Sequence, residues 1–103
     1  MDTDRLVQWA TSGGARMFGL DAVGAIEPGM QADLALYSLD HPRYAGNHDP
    51  VSAPVTAGGA PLLRHVWVAG REVVRDGAIP GFDLAAWLAR ARAVVARLQR
   101  EAA

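Results

Sequence analysis

Apolar positions recur at helical spacings near the N-terminus, where Leu6, Val7, Trp9, Ala10, Ala15, Met17 and Phe18 cluster between Asp4 and Gly19. Thr11-Ser12-Gly13-Gly14 interrupts this run, so the pattern predicts two short helices, with Thr11 or Ser12 capping the second and Gly19 closing it in the left-handed region. Pro28-Gly29 predicts a type II reversal. From Ala32 to Ser38 the period changes to two. Leu34 and Leu36 fall on one face of a strand, Ala35 and Tyr37 on the other, and both faces are expected to be partly covered. A polar loop from His41 to Pro50 follows, and Asp49-Pro50 reads as an N-cap with proline at the first helical position, starting a turn over Val51 to Val55.

After the break at residues 57–61, Arg64 to Val68 and Arg71 to Arg75 form two strands of a hairpin that turns at Ala69-Gly70. A two-residue turn would set Val66 opposite Val73 with Gly70 at positive φ, whereas a three-residue turn would add a bulge; the pattern leaves both open. Asp76-Gly77 ends the second strand, and Pro80-Gly81 makes a further break. Asp83 then caps a long helix with Leu84, Leu88, Ala91, Val95 and Leu98 on one face and Arg90, Arg92, Arg97 and Arg100 away from it. These elements make a small α+β chain.

Composition narrows the function classes. The chain has 103 residues, half of them hydrophobic and 20% charged, which suits one small globular unit with a modest core. Ten basic residues, all arginine, face eleven acidic ones, so the net charge of −1 offers no field for nucleic acid or an anionic membrane. No apolar stretch approaches the roughly 20 residues that span a bilayer, and the start of the chain lacks a basic leader region. A soluble, cytoplasmic chain is expected. Without cysteine, disulfides, thiolate metal sites and cysteine nucleophiles are excluded.

The candidate chemistry is sparse. His41, His48 and His65 are the only imidazoles, and His48-Asp49 with His41 is the best available cluster. No two of them stand two apart on a strand or four apart on a helix, the spacings that put a metal-binding pair on one face. Asp49 and His48 are read as loop-fixing groups and His65 as a packed or solvent-facing strand residue. Ser12 and Ser38 have no His and acidic partner in a motif context. Ser12-Gly13-Gly14 before a helix has the form of a weak anion site, yet it lacks the Lys and Ser or Thr of a phosphate loop, so capping explains it better. Trp9, Trp67 and Trp87 are read as packing anchors.

Three ordered segments carry a resemblance. Ala10-Thr11-Ser12-Gly13-Gly14-Ala15-Arg16-Met17-Phe18-Gly19-Leu20-Asp21 resembles the helix pair near the end of the barrel in the metal-dependent amidohydrolase superfamily. Gly24-Ala25-Ile26-Glu27-Pro28-Gly29-Met30-Gln31-Ala32-Asp33-Leu34 is similar to its G-x-I-x-x-G-x-x-A-D run, which leaves the barrel for a small β-sandwich. Val66 to Gly77 is similar to its closing V-x-V-x-G-x-x-V-x-x-x-G hairpin. Tyr44 to Val51 looks most like the branch of 8-oxoguanine deaminases and triazine aminohydrolases.

The resemblance implies the C-terminal part of a (β/α)₈-barrel hydrolase. Residues 1–23 would be the helix pair at the barrel's end, 24–82 the C-terminal half of the β-sandwich and 83–103 the terminal helix. The complete enzyme would deaminate a nitrogen heterocycle with zinc or iron held by histidines and an aspartate upstream of Ala10. No residue of this chain matches those motifs, so no catalytic, cofactor-binding or metal-binding residue is assigned. The implied partner is the missing N-terminal barrel portion or a second copy of the chain, and without it Leu34 and Leu36 on one face of the strand, Ala35 and Tyr37 on the other, and Leu6, Trp9 and Phe18 on the helices would be left partly open. A free-standing binding or assembly module and a subunit completing a split hydrolase stand as alternatives.

Overall fold

The computed structural model describes residues 2–60 and 62–103. Met1, which begins the expected helix pair, and Pro61, in the break before the hairpin, lie outside them. The N-terminal helix does not break at Thr11-Ser12-Gly13-Gly14. Helix α1 (Thr3–Gln8) runs into a π-helical turn (Trp9–Gly13) and then into α2 (Gly14–Met17). Thr11 and Ser12 therefore do not cap a second helix. Their hydroxyls donate backwards, Thr11 Oγ1 to the Val7 carbonyl at 2.8 Å and Ser12 Oγ to that of Gln8 at 3.4 Å, which keeps both residues inside the helix. Gly19 closes the run at φ 68° as expected; its N–H donates to Arg16 and the Leu20 N–H to Ala15.

The chain next reverses at Pro28-Gly29, with Gly29 at φ 90° and the Met30 N–H donating to the Glu27 carbonyl. It enters a three-stranded antiparallel sheet of order β1 (Leu34–Tyr37), β2 (Leu63–Val68), β3 (Arg71–Val74). Between β1 and β2 lie a 3₁₀ turn (Pro42–Tyr44) and helix α3 (Ala53–Thr56). The latter begins slightly later than the Asp49-Pro50 signal implies. Asp49 still accepts from the Val51 N–H at 3.0 Å, so it caps the turn that leads into the helix.

The hairpin turn has two residues, Ala69 at φ 50° and Gly70 at φ 78°, the geometry that matches the twist of the flanking strands. It is strapped to the start of β1, since the Ala69 N–H donates to Asp33 Oδ1 at 2.7 Å and the Gly70 N–H to the Ala32 carbonyl at 3.0 Å. Val66 nevertheless pairs with Val74, not Val73, although Trp67 pairs with Glu72 and Val68 with Arg71. The extra residue forms a bulge, so the two open alternatives combine: a two-residue turn and a bulge beyond it. Gly70→Val is expected to destabilise the chain by about 1–3 kcal/mol, because the site has room for a side chain but its backbone conformation strains a β-branched residue. A thermal melt superimposing on that of the parent would contradict this.

After a second tight turn at Asp76-Gly77, Asp83 caps helix α4 (Leu84–Ala102) by accepting from the Ala86 N–H at 2.9 Å. Among the described residues, burial is confined to Ala15, Tyr44, Ser52 and Ala53. The expectation that both faces of β1 are covered therefore fails, as Leu36 and Tyr37 stand exposed. Trp9 and Trp87 are likewise about half exposed and do not act as interior anchors. The radius of gyration is 18.1 Å, against about 13 Å for a compact domain of this length. The accessible surface is 8054 Å², where a folded monomer of this mass exposes about 5,600 Å². The elements are formed, but few layers of the same chain cover them. No described helix is long and apolar enough to cross a membrane.

Candidate functional site

The three histidines lie in different settings. His41 precedes the 3₁₀ turn, and its Nδ1 accepts from the Arg43 backbone N–H at 3.2 Å and from Arg43 Nε at 3.3 Å. Arg43 reaches on to the Ala60 carbonyl at 2.6 Å and holds its guanidinium 5.8 Å from the Tyr44 ring centroid. His41 thus orients a structural arginine. His48 lines a shallow depression with Arg43, Asn47, Asp49 and Ser52. The groups that fix this loop are its neighbours: Asn47 Oδ1 accepts from the Asp49 N–H, and the Asp49 carboxylate accepts from Val51 and from the Ser52 hydroxyl. The loop-fixing role expected of the pair thus falls to Asp49 with Asn47, and His48 makes no described hydrogen bond. The Ser52 hydroxyl, and after it the Val51 N–H, hold the Asp49 carboxyl below its usual pKa.

His65 belongs to a charge cluster on the hairpin that the sequence reading missed. Its Nδ1 lies 2.9 Å from Glu72 Oε1, its Nε2 lies 3.7 Å from Asp76 Oδ1, and its ring stacks on Trp67 with centroids 5.5 Å apart. Glu72 also accepts from Arg75 at 2.6 Å, and Asp76 from Arg64 at 3.0 Å. The legible signal was five ionisable residues, Arg64, His65, Glu72, Arg75 and Asp76, on the two arms of one hairpin. Glu72 opposes Trp67, which places it diagonally from His65, two residues along β2. The bond to His65, then that to Arg75, lowers the Glu72 pKa.

That shift has a defined sign. A carboxyl with a depressed folded pKa contributes stability that is complete above its unfolded value and is lost as pH falls through the folded one. The melting temperature should therefore drop from about pH 5 downward, and more gently in Glu72→Gln. Asp49 acts with the same sign, so a slope should remain in that variant. Equal slopes in parent and variant across thermal melts at several acidic pH values would remove Glu72 from this account.

These groups do not fit a catalytic zinc or iron. Among the described residues no three His, Cys, Asp or Glu side chains are placed to hold a metal ion. In the hairpin cluster the two carboxylates address opposite nitrogens of the His65 ring, so they do not converge on one point. Ser12 is turned to its own helix, and Ser38 Oγ accepts from the Asp40 N–H at 3.2 Å, so neither meets a base. The weak anion site at Ser12-Gly13-Gly14 is not formed either, because these residues continue the helix instead of opening one.

An open, mainly apolar trough of about 690 Å³ lies between the N-terminal helical run, the loop at residues 20–26 and β1. Phe18, Leu20, Ile26, Leu34 and Tyr37 contribute its apolar walls. Its one carboxylate, Asp33, is engaged with the hairpin turn. This surface suits covering by another polypeptide better than chemistry on a small polar substrate.

The sequence profile of the amidohydrolase family matches residues 1–73. The chain is 47% identical over 96 residues to an isoxanthopterin deaminase of an unknown prokaryotic organism, covering 93% of this chain and 20% of that protein. It is 48% identical over 90 residues to the 8-oxoguanine deaminase of Pseudomonas aeruginosa, covering 87% and 20%. The crystal structure of an adenosine deaminase from Xanthomonas campestris with bound zinc superimposes with a TM-score of 0.85 at 33% identity, over 96% of this chain and 23% of that one. Triazine hydrolases are also among the structural matches. The chain spans about a fifth of the length of the curated relatives it matches.

Proposed function

Since the chain belongs to the amidohydrolase family, we propose that it is the C-terminal segment of a metal-dependent aminohydrolase that removes an amino group from a nitrogen heterocycle by hydrolysis. The alignment at 47% identity with one fifth of an isoxanthopterin deaminase carries this reading. In the complete enzyme the metal, zinc or iron, would supply an activated water. The residues of this chain do not fit that metal, so they are assigned a structural part: the helical run and β1 offer an apolar surface to the rest of the enzyme, and the hairpin closes the sheet. Division near residues 24 and 83 into helix pair, half sandwich and terminal helix belongs to the same proposal, as does a cytoplasmic setting. The open trough and the excess accessible surface support a missing covering portion over a free-standing module.

Grafting tests it. In the Pseudomonas aeruginosa 8-oxoguanine deaminase, the aligned segment is exchanged for this chain, and ammonia release from 8-oxoguanine is measured beside the parent enzyme, the parent without its segment, and this chain by itself. The chimera is expected to release ammonia, while the truncated parent and the isolated chain do not. A folded, metal-loaded chimera without activity, or deamination by the isolated chain, would defeat the proposal. Supplying the chain in trans to the truncated parent tests the split-subunit variant of the same reading.

A further inference from the structure

We propose that the π-helical turn (Trp9–Gly13) is a phase-setting insertion: one extra residue rotates the second half of the N-terminal run, so that the run docks on α3 near its start and on the 20–26 loop near its end. The inference concerns contacts inside this chain and does not rest on the proposed activity.

Both docking points are contacts of the run with distant segments. α1 packs on α3, where Thr3 shares a depression with Ser52 and Thr56. Beyond the wide turn the loop is seated closely, since a Cβ added at Gly24 would lie 2.9 Å from Ala15 Cβ and 3.0 Å from Ser12 Cα. Ala15 is buried. A helical run of fixed length meets both segments in one rotational phase only. Thr3 and Ala15 stand twelve positions apart, so on an uninterrupted α-helix they would face about 120° away from each other. The extra residue of a single wide turn takes back about 100° of this, which brings the two contacts to nearly one side of the run. The same rotation aims Gly14, Ala15 and Phe18, the helical wall of the trough, toward β1.

Local chemistry holds the turn wide. The Gly14 N–H donates to the Trp9 carbonyl, five positions back, where an α-helix would reach four. At the entry to the turn the Val7 and Gln8 carbonyls keep partners through the Thr11 and Ser12 hydroxyls, so widening leaves neither acceptor bare. Gly13 supplies the room. A Cβ on it would lie 3.1 Å from the Gln8 carbonyl oxygen, tighter than an ordinary contact and against backbone. In a regular helix interior, alanine is instead the better residue.

That contrast gives the test, a cycle of deletion and substitution in the full chain, read by thermal melts and by the nuclear Overhauser contact between the Ala15 methyl and the Gly24 α-protons. Deleting Ala10, an exposed residue within the turn, leaves Gly13 four positions after Gln8, the α-helical spacing, and preserves the phase of both halves. The contact should persist. Inserting one alanine after Ala10 adds a second rotation and should abolish it. Gly13→Ala should lower the melting temperature of the parent, where the new Cβ crowds Gln8, and raise that of the deletion variant by about 3–6 °C. A deletion variant that unfolds or loses the contact, an insertion variant that keeps it, or a Gly13→Ala shift that does not change sign between the two backgrounds would each overturn the proposal.

Discussion

Gly24→Val is expected to lower stability by about 2–4 kcal/mol, near or beyond 10 °C in melting temperature for a chain of this size. Two effects act together at this position. Gly24 sits at φ 95°, where a β-branched residue is strained. A Cβ added there would also lie 2.9 Å from Ala15 Cβ, 3.0 Å from Ser12 Cα and 3.1 Å from the Thr11 carbonyl oxygen. Two of these atoms are backbone inside a helix, and they move only if the helix moves. Ala15 is one of the few buried residues, so displacement there undoes the packing of the loop on the helical run. Differential scanning calorimetry of Gly24→Val beside Gly29→Val separates the causes. Gly29 has a similar φ of 90° but nothing within 4 Å of an added Cβ. Gly24→Val should melt clearly lower than Gly29→Val, and equal values would leave the close approach with no energetic weight.

Tyr44→Ala is expected to cost about 3 kcal/mol, toward the lower end for truncating a buried aromatic residue. At 6% exposure Tyr44 is the largest side chain among the buried residues, and the Arg43 guanidinium stands 5.8 Å from its ring centroid. Arg43 in turn bonds the carbonyls of Gly58 and Ala60, so the ring sits beneath the strut that joins the two ends of the 41–60 excursion. Limited proteolysis should therefore cut between residues 41 and 60 much faster in Tyr44→Ala than in the parent, with Tyr44→Phe close to the parent. Unchanged cleavage in Tyr44→Ala would show that the excursion is held by something other than this ring.

Turn chemistry was the most legible part of the sequence. Pro28-Gly29, Ala69-Gly70 and Asp83 act as read, since local steric and hydrogen-bonding preferences decide them. The helix break at Thr11-Ser12-Gly13-Gly14 was misread because hydroxyls that can cap a helix can equally bond one turn back inside it, and the pattern of residue types is the same. The bulge at Val73 was open for a related reason: alternation of apolar residues does not count how many residues oppose one another. The His65–Glu72 contact is a diagonal one between residues that do not oppose each other, and alternation alone does not single it out. Periodicity alone misjudged the coverage of β1, Trp9 and Trp87, because apolar character states that a face should be buried, not that this chain supplies the layer that buries it; the resemblance, which places that layer elsewhere, anticipates the exposure of Leu36, Tyr37, Trp9 and Phe18. No site residue was assigned from the sequence, and the family could be read only from the order of three motifs.

The bond from the Ala69 N–H to Asp33 joins positions 36 apart in sequence. Its acceptor belongs to the residue just before β1, and its donor lies in the turn between β2 and β3, so the side chain gauges where β1 stops relative to its neighbour. A slip of one residue along β2 would turn Leu34 and Leu36 to the opposite face and carry the carboxylate away from its donor. The hairpin closes over a short loop and forms early, whereas β1 must search across the 41–60 excursion before it docks. Asp33 therefore acts late in folding, as the check that admits one alignment of the last strand. In native-state hydrogen exchange the Ala69 amide should open together with β1, on a slower clock than the frayed ends of α4.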